Sequence, residues 1–141
     1  MSKLDRLYGS AFASNINIVN GHFSKTKKAV CLASKTAKNI VMDMSAIHTQ
    51  AEELTILAEE VGHFETGALY VISSTYNTAV ARSNRVKYEA QAKRWAIKEV
   101  LPLSEIKFAI ANAGNDWEAA EHCGVTVEFY REAVEYYGVE L

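Results

Sequence analysis

The chain reads as an α+β protein in which a small antiparallel sheet packs on a helical layer. Three features of its 141 residues lead there. Short β-forming runs precede Asp43, a well-marked helix lies between Thr49 and Gly67, and helical periodicity runs from Asn84 to the C-terminus.

Taken in order, residues 2–13 place Leu4, Leu7, Tyr8 and Ala11 on one side of a short helix. Asn15 to Val19 alternates polar and apolar and runs into Asn20-Gly21, a strand followed by a tight turn. Two further strands are expected at Ala29–Ala33 and Ile40–Met42, joined across the polar stretch Ser34–Asn39, so that the strands form an antiparallel meander.

The next helix starts at Thr49, with Glu52 three residues on as in a capping box, and stops at Gly67. Its Leu54, Leu57, Ala58 and Val61 share one face, and Glu59, Glu60 and His63 share the opposite one. Ile56 and Phe64 lie on or beside that second face, which predicts a helix covered on both sides. An extended, irregular connection rich in β-formers is expected from Gly67 to Ser83. A helix from about Asn84 is stopped by Pro102, and three more follow, capped by Ser104, Asp116 and Thr126 and ending near Gly114, Gly124 and Gly138.

One domain accounts for the length, with a core over about residues 15–101 and a helical segment over about 103–141. A formal net charge of −2 opposes a nucleic-acid binder, because phosphate neutralisation needs a concentrated basic surface. Lys25, Lys27, Lys28, Lys35 and Lys38 read as a solvated loop face. Cys31 and Cys123 show no metal-ligand or C-x-x-C spacing and read as buried free thiols in a reducing compartment. No apolar leader or membrane-length run is present, which points to the cytoplasm and away from membrane partners.

The chemistry centres on Glu59-Glu60-Val61-Gly62-His63, one residue short of H-E-x-x-H, in which two histidines one helical turn apart hold zinc and the glutamate acts as base. The plain alternative is a solvated acidic face. A second signal comes from the later helix, where Tyr88, Ala92, Trp95, Ala96 and Val100 form an apolar stripe with Glu89 inside it. A carboxylate facing a core needs a compensating cation, which an Arg, a Lys or a metal ion could supply. A Zn2+ ion held by Glu59, His63 and Glu89 would acidify its bound water and polarise a peptide carbonyl, with Glu60 taking the water proton and passing it to the leaving amine. Carboxylate oxygen is an acceptable zinc ligand. Two ligating carboxylates would cancel the charge of the ion and make that water less acidic.

Several blocks of the chain resemble the ImmA/IrrE family of metallopeptidases of bacteria, phages and mobile elements. They are Ile56-Leu57-Ala58-Glu59-Glu60-Val61-Gly62-His63 followed by Thr66-Gly67-Ala68-Leu69-Tyr70; Lys87-Tyr88-Glu89-Ala90-Gln91-Ala92-Lys93-Arg94-Trp95-Ala96; Leu101-Pro102; and the ending from Trp117 through Tyr137. The resemblance implies a minimal zincin-like fold and a zinc-dependent endopeptidase that cleaves a helix-turn-helix repressor of phage, mobile-element or stress-response genes. On it, Glu60 matches the catalytic glutamate, His63 the second histidine ligand and Glu89 the acidic ligand, while Glu59 stands where the first histidine would be. Tyr70 and Tyr88 are nearby candidates to stabilise the transition state. The C-terminal helices have the look of a helix-turn-helix with Gly124 in the turn, but Glu128, Glu132 and Glu135 against Arg131 give the wrong sign for DNA. A packing role or a surface for the repressor fits better. The alternative function is a relative without strong catalysis that binds a repressor or other partner.

Overall fold

A computed structural model describes residues 1–23, 27–67, 69 and 79–140. Among them it shows an α+β arrangement of six helices and one three-stranded sheet. The first helix, α1 (Lys3–Ala13), is closed by a capping box in which the Ser2 hydroxyl accepts the Asp5 amide and the Asp5 carboxylate accepts the Ser2 amide. Leu7 and Ala11 are its buried residues.

The strands are β1 (Ile16–Asn20), β2 (Ala29–Ala33) and β3 (Lys38–Met42), in the order β1-β3-β2. The expected hairpin is present between β2 and β3, which are antiparallel, but β1 lies on the other edge and runs parallel to β3. The sheet is therefore mixed, and the antiparallel meander is corrected. Alternation along a strand sets which face it buries, not which neighbour it takes. Here β3 takes the centre, with Ile40 and Met42 buried. Asn20-Gly21 does not turn the chain back: the Gly21 amide still donates to Met42 O at 2.9 Å, continuing the path beside β3.

After a 3-10 turn at Met44–Ala46 comes α2 (Gln50–Thr66). Thr49 caps it by accepting the Glu52 amide. The reciprocal bond goes one residue further back than a capping box requires, from the His48 amide to the Glu52 carboxylate. Gly67 ends the helix at φ 69°, a left-handed conformation that costs a residue without Cβ least. Leu54, Leu57, Ala58 and Val61 are buried, and so are Thr55, Gly62, His63 and Phe64. The helix is covered on both sides, as expected, by the sheet and α1 and by the next helix.

That helix, α3 (Ala79–Val100), begins before the expected Asn84. Most of the irregular connection expected from Gly67 to Ser83 lies outside the described residues. Ala92, Ala96, Ile97 and Val100 are the buried side of α3. α2 and α3 meet at Gly62, where an added Cβ would stand 2.6 Å from the Ala92 carbonyl oxygen. The helices are thus as close as a bare backbone allows.

Three shorter helices complete the chain: α4 (Leu103–Asn112), α5 (Asp116–Cys123) and α6 (Val127–Glu140). Pro102, not Ser104, precedes α4, and its carbonyl accepts the Glu105 and Ile106 amides with no side-chain cap. Proline's fixed φ suits that position. Asn115 rather than its neighbour Asp116 caps α5, by accepting the Glu118 amide. Thr126 caps α6 as expected, and the helix runs through Gly138. The core extends from Leu7 on α1 to Tyr137 on α6, whose hydroxyl donates to Leu101 O at 3.0 Å. No described helix is long and apolar enough to cross a membrane.

Gly62→Ala forces α2 from α3 or strains both. The expected cost is about 1–3 kcal/mol, the usual penalty for overpacking. Urea unfolding of the variant against wild type measures it, and an unchanged midpoint would contradict the close approach.

Candidate functional site

The close crossing of α2 and α3 brings His63 and Glu89 together. His63 is buried, and its Nε2 lies 3.3 Å from Glu89 Oε2. Glu89 does not face the core, contrary to the reading of its stripe: its side chain is 49% exposed. Buried positions among the described α3 side chains begin at Ala92, so the stripe is only half covered at the level of Tyr88 and Glu89. The carboxylate therefore sits at a rim, with His63 beneath it.

One turn before His63 on α2 is Glu60, partly buried against the sheet. Its Oε2 accepts a hydrogen bond from the Cys31 thiol at 2.8 Å, and the same sulfur lies 3.2 Å from the Glu60 carbonyl oxygen. Burial raises the Glu60 carboxyl above the usual carboxylate range, while the thiol hydrogen bond and His63 pull the other way. Burial, together with the Glu60 charge, also drives the Cys31 thiol far up, so it stays protonated. The raised carboxyl makes Glu60 a better proton acceptor than an ordinary surface glutamate.

Glu59 turns elsewhere. Its Oε1 lies 2.7 Å from Lys93 Nζ, one turn beyond Glu89 on α3, and the same ammonium lies 2.9 Å from Glu132 Oε2 on α6. One lysine thus ties three helices. Burial disfavours the Lys93 charge, but Glu59 and Glu132 outweigh it and hold the ammonium above its ordinary range. Burial lifts Glu59 against the pull of Lys93. A lysine compensates a carboxylate on this side of α2, and that carboxylate is Glu59.

Whether these groups fit zinc can be judged from the donors. The 3.3 Å between His63 Nε2 and Glu89 Oε2 is longer than the about 2.7–2.9 Å of a charge-assisted hydrogen bond. The pair is a long hydrogen bond, and its length is also close to the edge of about 3.4 Å between two ligand atoms each about 2.1 Å from a tetrahedral ion. His63 and Glu89 therefore fit one edge of such a site. Glu59 is engaged with Lys93, and among the described residues no three His, Cys, Asp or Glu side chains form a metal-holding group. Tyr88 is half-buried beside Glu89 in sequence, and Tyr70 lies outside the described residues. The remaining three histidines are placed apart: His22 is 3.3 Å from Asp43 Oδ2, His48 stands just before the Thr49 cap with its amide on the Glu52 carboxylate, and the His122 ring stacks on Phe108 at 5.5 Å. A cavity of about 530 Å³ between α3 and α6 is lined by Glu89, Lys93, Ile97, Glu132 and Tyr136, among others, so the carboxylate opens onto a groove.

Sequence reasoning missed two residues. Lys93 could have been found, since it follows Glu89 by four positions and two carboxylate-rich helices surround it. Cys31 carried no signal, because its contact with Glu60 exists only once β2 packs under α2. No family model matches the chain, and no curated protein matches it either.

Lys93→Ala leaves Glu59 without its ammonium and should cost about 1–3 kcal/mol at neutral pH. The Glu59 pKa then rises further, so the folded state binds the extra proton. Stability of the variant rises as pH falls from the raised value toward the ordinary carboxylate range, and its deficit against wild type is largest at neutral pH. Thermal melts across that range test this, and a deficit that grows toward acid would contradict it. Zinc should raise the melting temperature more in Lys93→Ala than in wild type, because Glu59 becomes available as a donor.

Proposed function

We infer that the chain is a zinc-dependent endopeptidase of the ImmA/IrrE type, acting on a helix-turn-helix repressor of phage, mobile-element or stress genes. The observation that carries this is the 3.3 Å approach of His63 Nε2 to Glu89 Oε2 across two helices, with Glu60 one turn from the imidazole. His63 and Glu89 would hold the ion. Zinc bound there would supply Lewis acidity toward a peptide carbonyl and toward the attacking water.

Every other duty falls to side chains of the chain itself. Glu60 accepts the proton of the attacking water and returns it to the amine of the departing segment, a role that the rise of its carboxyl on burial favours. His63 is held in place by its burial between α2 and α3, and Glu89 at the rim faces the groove through which a peptide would arrive. The zincin-like fold and the helix-turn-helix character of α5 and α6 belong to the same reading. The acidic side of α6, with Glu132 and Glu135 on the groove, suits a protein partner rather than DNA.

The 2.7 Å pair of Glu59 with Lys93 favours a second reading, in which the chain binds the repressor without cutting it. The two separate on metal content and cleavage. With zinc supplied during purification and no chelator, the peptidase retains zinc, Glu60→Gln keeps the metal while cleavage of a repressor or a mixed peptide library falls by about 10²–10⁴-fold, and Glu89→Ala loses the metal. Repressor binding with no zinc and no cleavage establishes the second reading instead.

A further inference from the structure

Cys31 takes no part in the reaction outlined above, yet it is the side chain that touches its base. It lies on β2, an edge strand, opposite Ile40 of the central strand, and β2 packs directly under α2. Its sulfur bridges two atoms of one residue, 2.8 Å from Glu60 Oε2 and 3.2 Å from Glu60 O. A side chain on a flexible three-bond stem is thus fixed from the sheet at its end and at its root.

We propose that Cys31 is a positioning residue for Glu60, holding the carboxylate by Oε2 so that Oε1 is the oxygen that receives the proton. The catalytic part of this rests on the peptidase reading. The thiol suits the task because its surroundings keep it protonated: it lies half-buried, next to a carboxylate, and both conditions oppose a thiolate. It is accordingly a fixed donor rather than a nucleophile or a metal ligand. An S–H donor is weaker than a hydroxyl or an ammonium. It orients the carboxylate without neutralising it, whereas a lysine in the same place would hold Glu60 ionised and blunt its basicity. During turnover Glu60 passes between carboxylate and acid, and the thiol proton stays on sulfur throughout.

Two measurements test this, and they fail separately. In a Cys123→Ser background the one remaining S–H stretch reports Cys31. It should lie low in frequency, as for a bonded donor, and move up when Glu60→Ala removes the acceptor; an unmoved band overturns the contact, with no metal or substrate involved. In zinc-loaded protein that cleaves its substrate, Cys31→Ala should lower kcat by about 10–100-fold, the weight of one hydrogen bond to a charged group, with KM and zinc content unchanged. Cys31→Ser, which keeps a donor, should restore most of it. Equal kcat in Cys31→Ala overturns the positioning role. A wild type that holds zinc and cleaves nothing overturns the peptidase reading and with it any catalytic role for Cys31, and the infrared shift then assigns the thiol to holding a buried carboxylate only.

Discussion

Gly62 lets α2 and α3 approach until a Cβ would meet the Ala92 carbonyl oxygen at 2.6 Å, and the rest of the arrangement depends on that approach. It lies between the residues it serves. His63 is next to Gly62 on α2, and Glu89 is three positions before Ala92 on α3, so the closest backbone contact and the imidazole-carboxylate contact belong to one crossing. A larger residue at 62 would move the two donors apart before it disturbed either helix. Packing here sets chemistry, because a separation of 3.3 Å tolerates little error at either end.

The charges around the crossing are divided by direction. Glu59, Glu60 and His63 leave α2 on the same side, yet each finds a different partner: Lys93 on α3, Cys31 on β2 and Glu89 on α3. The partners differ in kind as well. A lysine neutralises, a thiol orients, and a carboxylate at the rim adds negative charge beside the imidazole. One buried and two half-buried polar groups on one side of a helix would disfavour the fold if left without partners. Distributing them to three partners on two elements lowers that cost, and Glu89 and Lys93 line the groove toward α6.

Much of this was legible in the residues. The ends of α2, its two covered faces and the common side of Glu59, Glu60 and His63 follow from helical spacing and from Thr49 and Gly67, which act locally. Sheet order was not legible, because the alternation in Asn15–Val19 fits either edge of β3. The depth of Glu89 was misjudged for a related reason: a stripe on an isolated helix does not say where its partner ends, and the buried part of α3 starts only at Ala92. The contact of Cys31 with Glu60 is a consequence of packing between elements distant in sequence, whereas Lys93 was within reach of spacing, four positions after Glu89. Helix starts at Pro102 and Asn115 shifted by one or two positions, where neighbouring residues could all serve as caps.

The pairing of Glu59 with Lys93 changes the electrostatics expected from the motif. Had Glu59 and Glu89 both met a divalent ion, their two charges would have cancelled it and weakened its pull on water and carbonyl alike. With Lys93 holding Glu59, a divalent ion held by His63 as neutral imidazole and by Glu89 would meet a single negative charge and keep one positive charge. On the peptidase reading, such a site would bind the ion less tightly for want of a third donor but would keep more polarising power than one with two carboxylates. Positions 59 and 93 then behave as one unit, since a neutral imidazole at 59 would leave the Lys93 ammonium with Glu132 alone and place it beside a cation. A histidine at 59 would therefore be a two-residue change, in which Lys93 also gives up its charge.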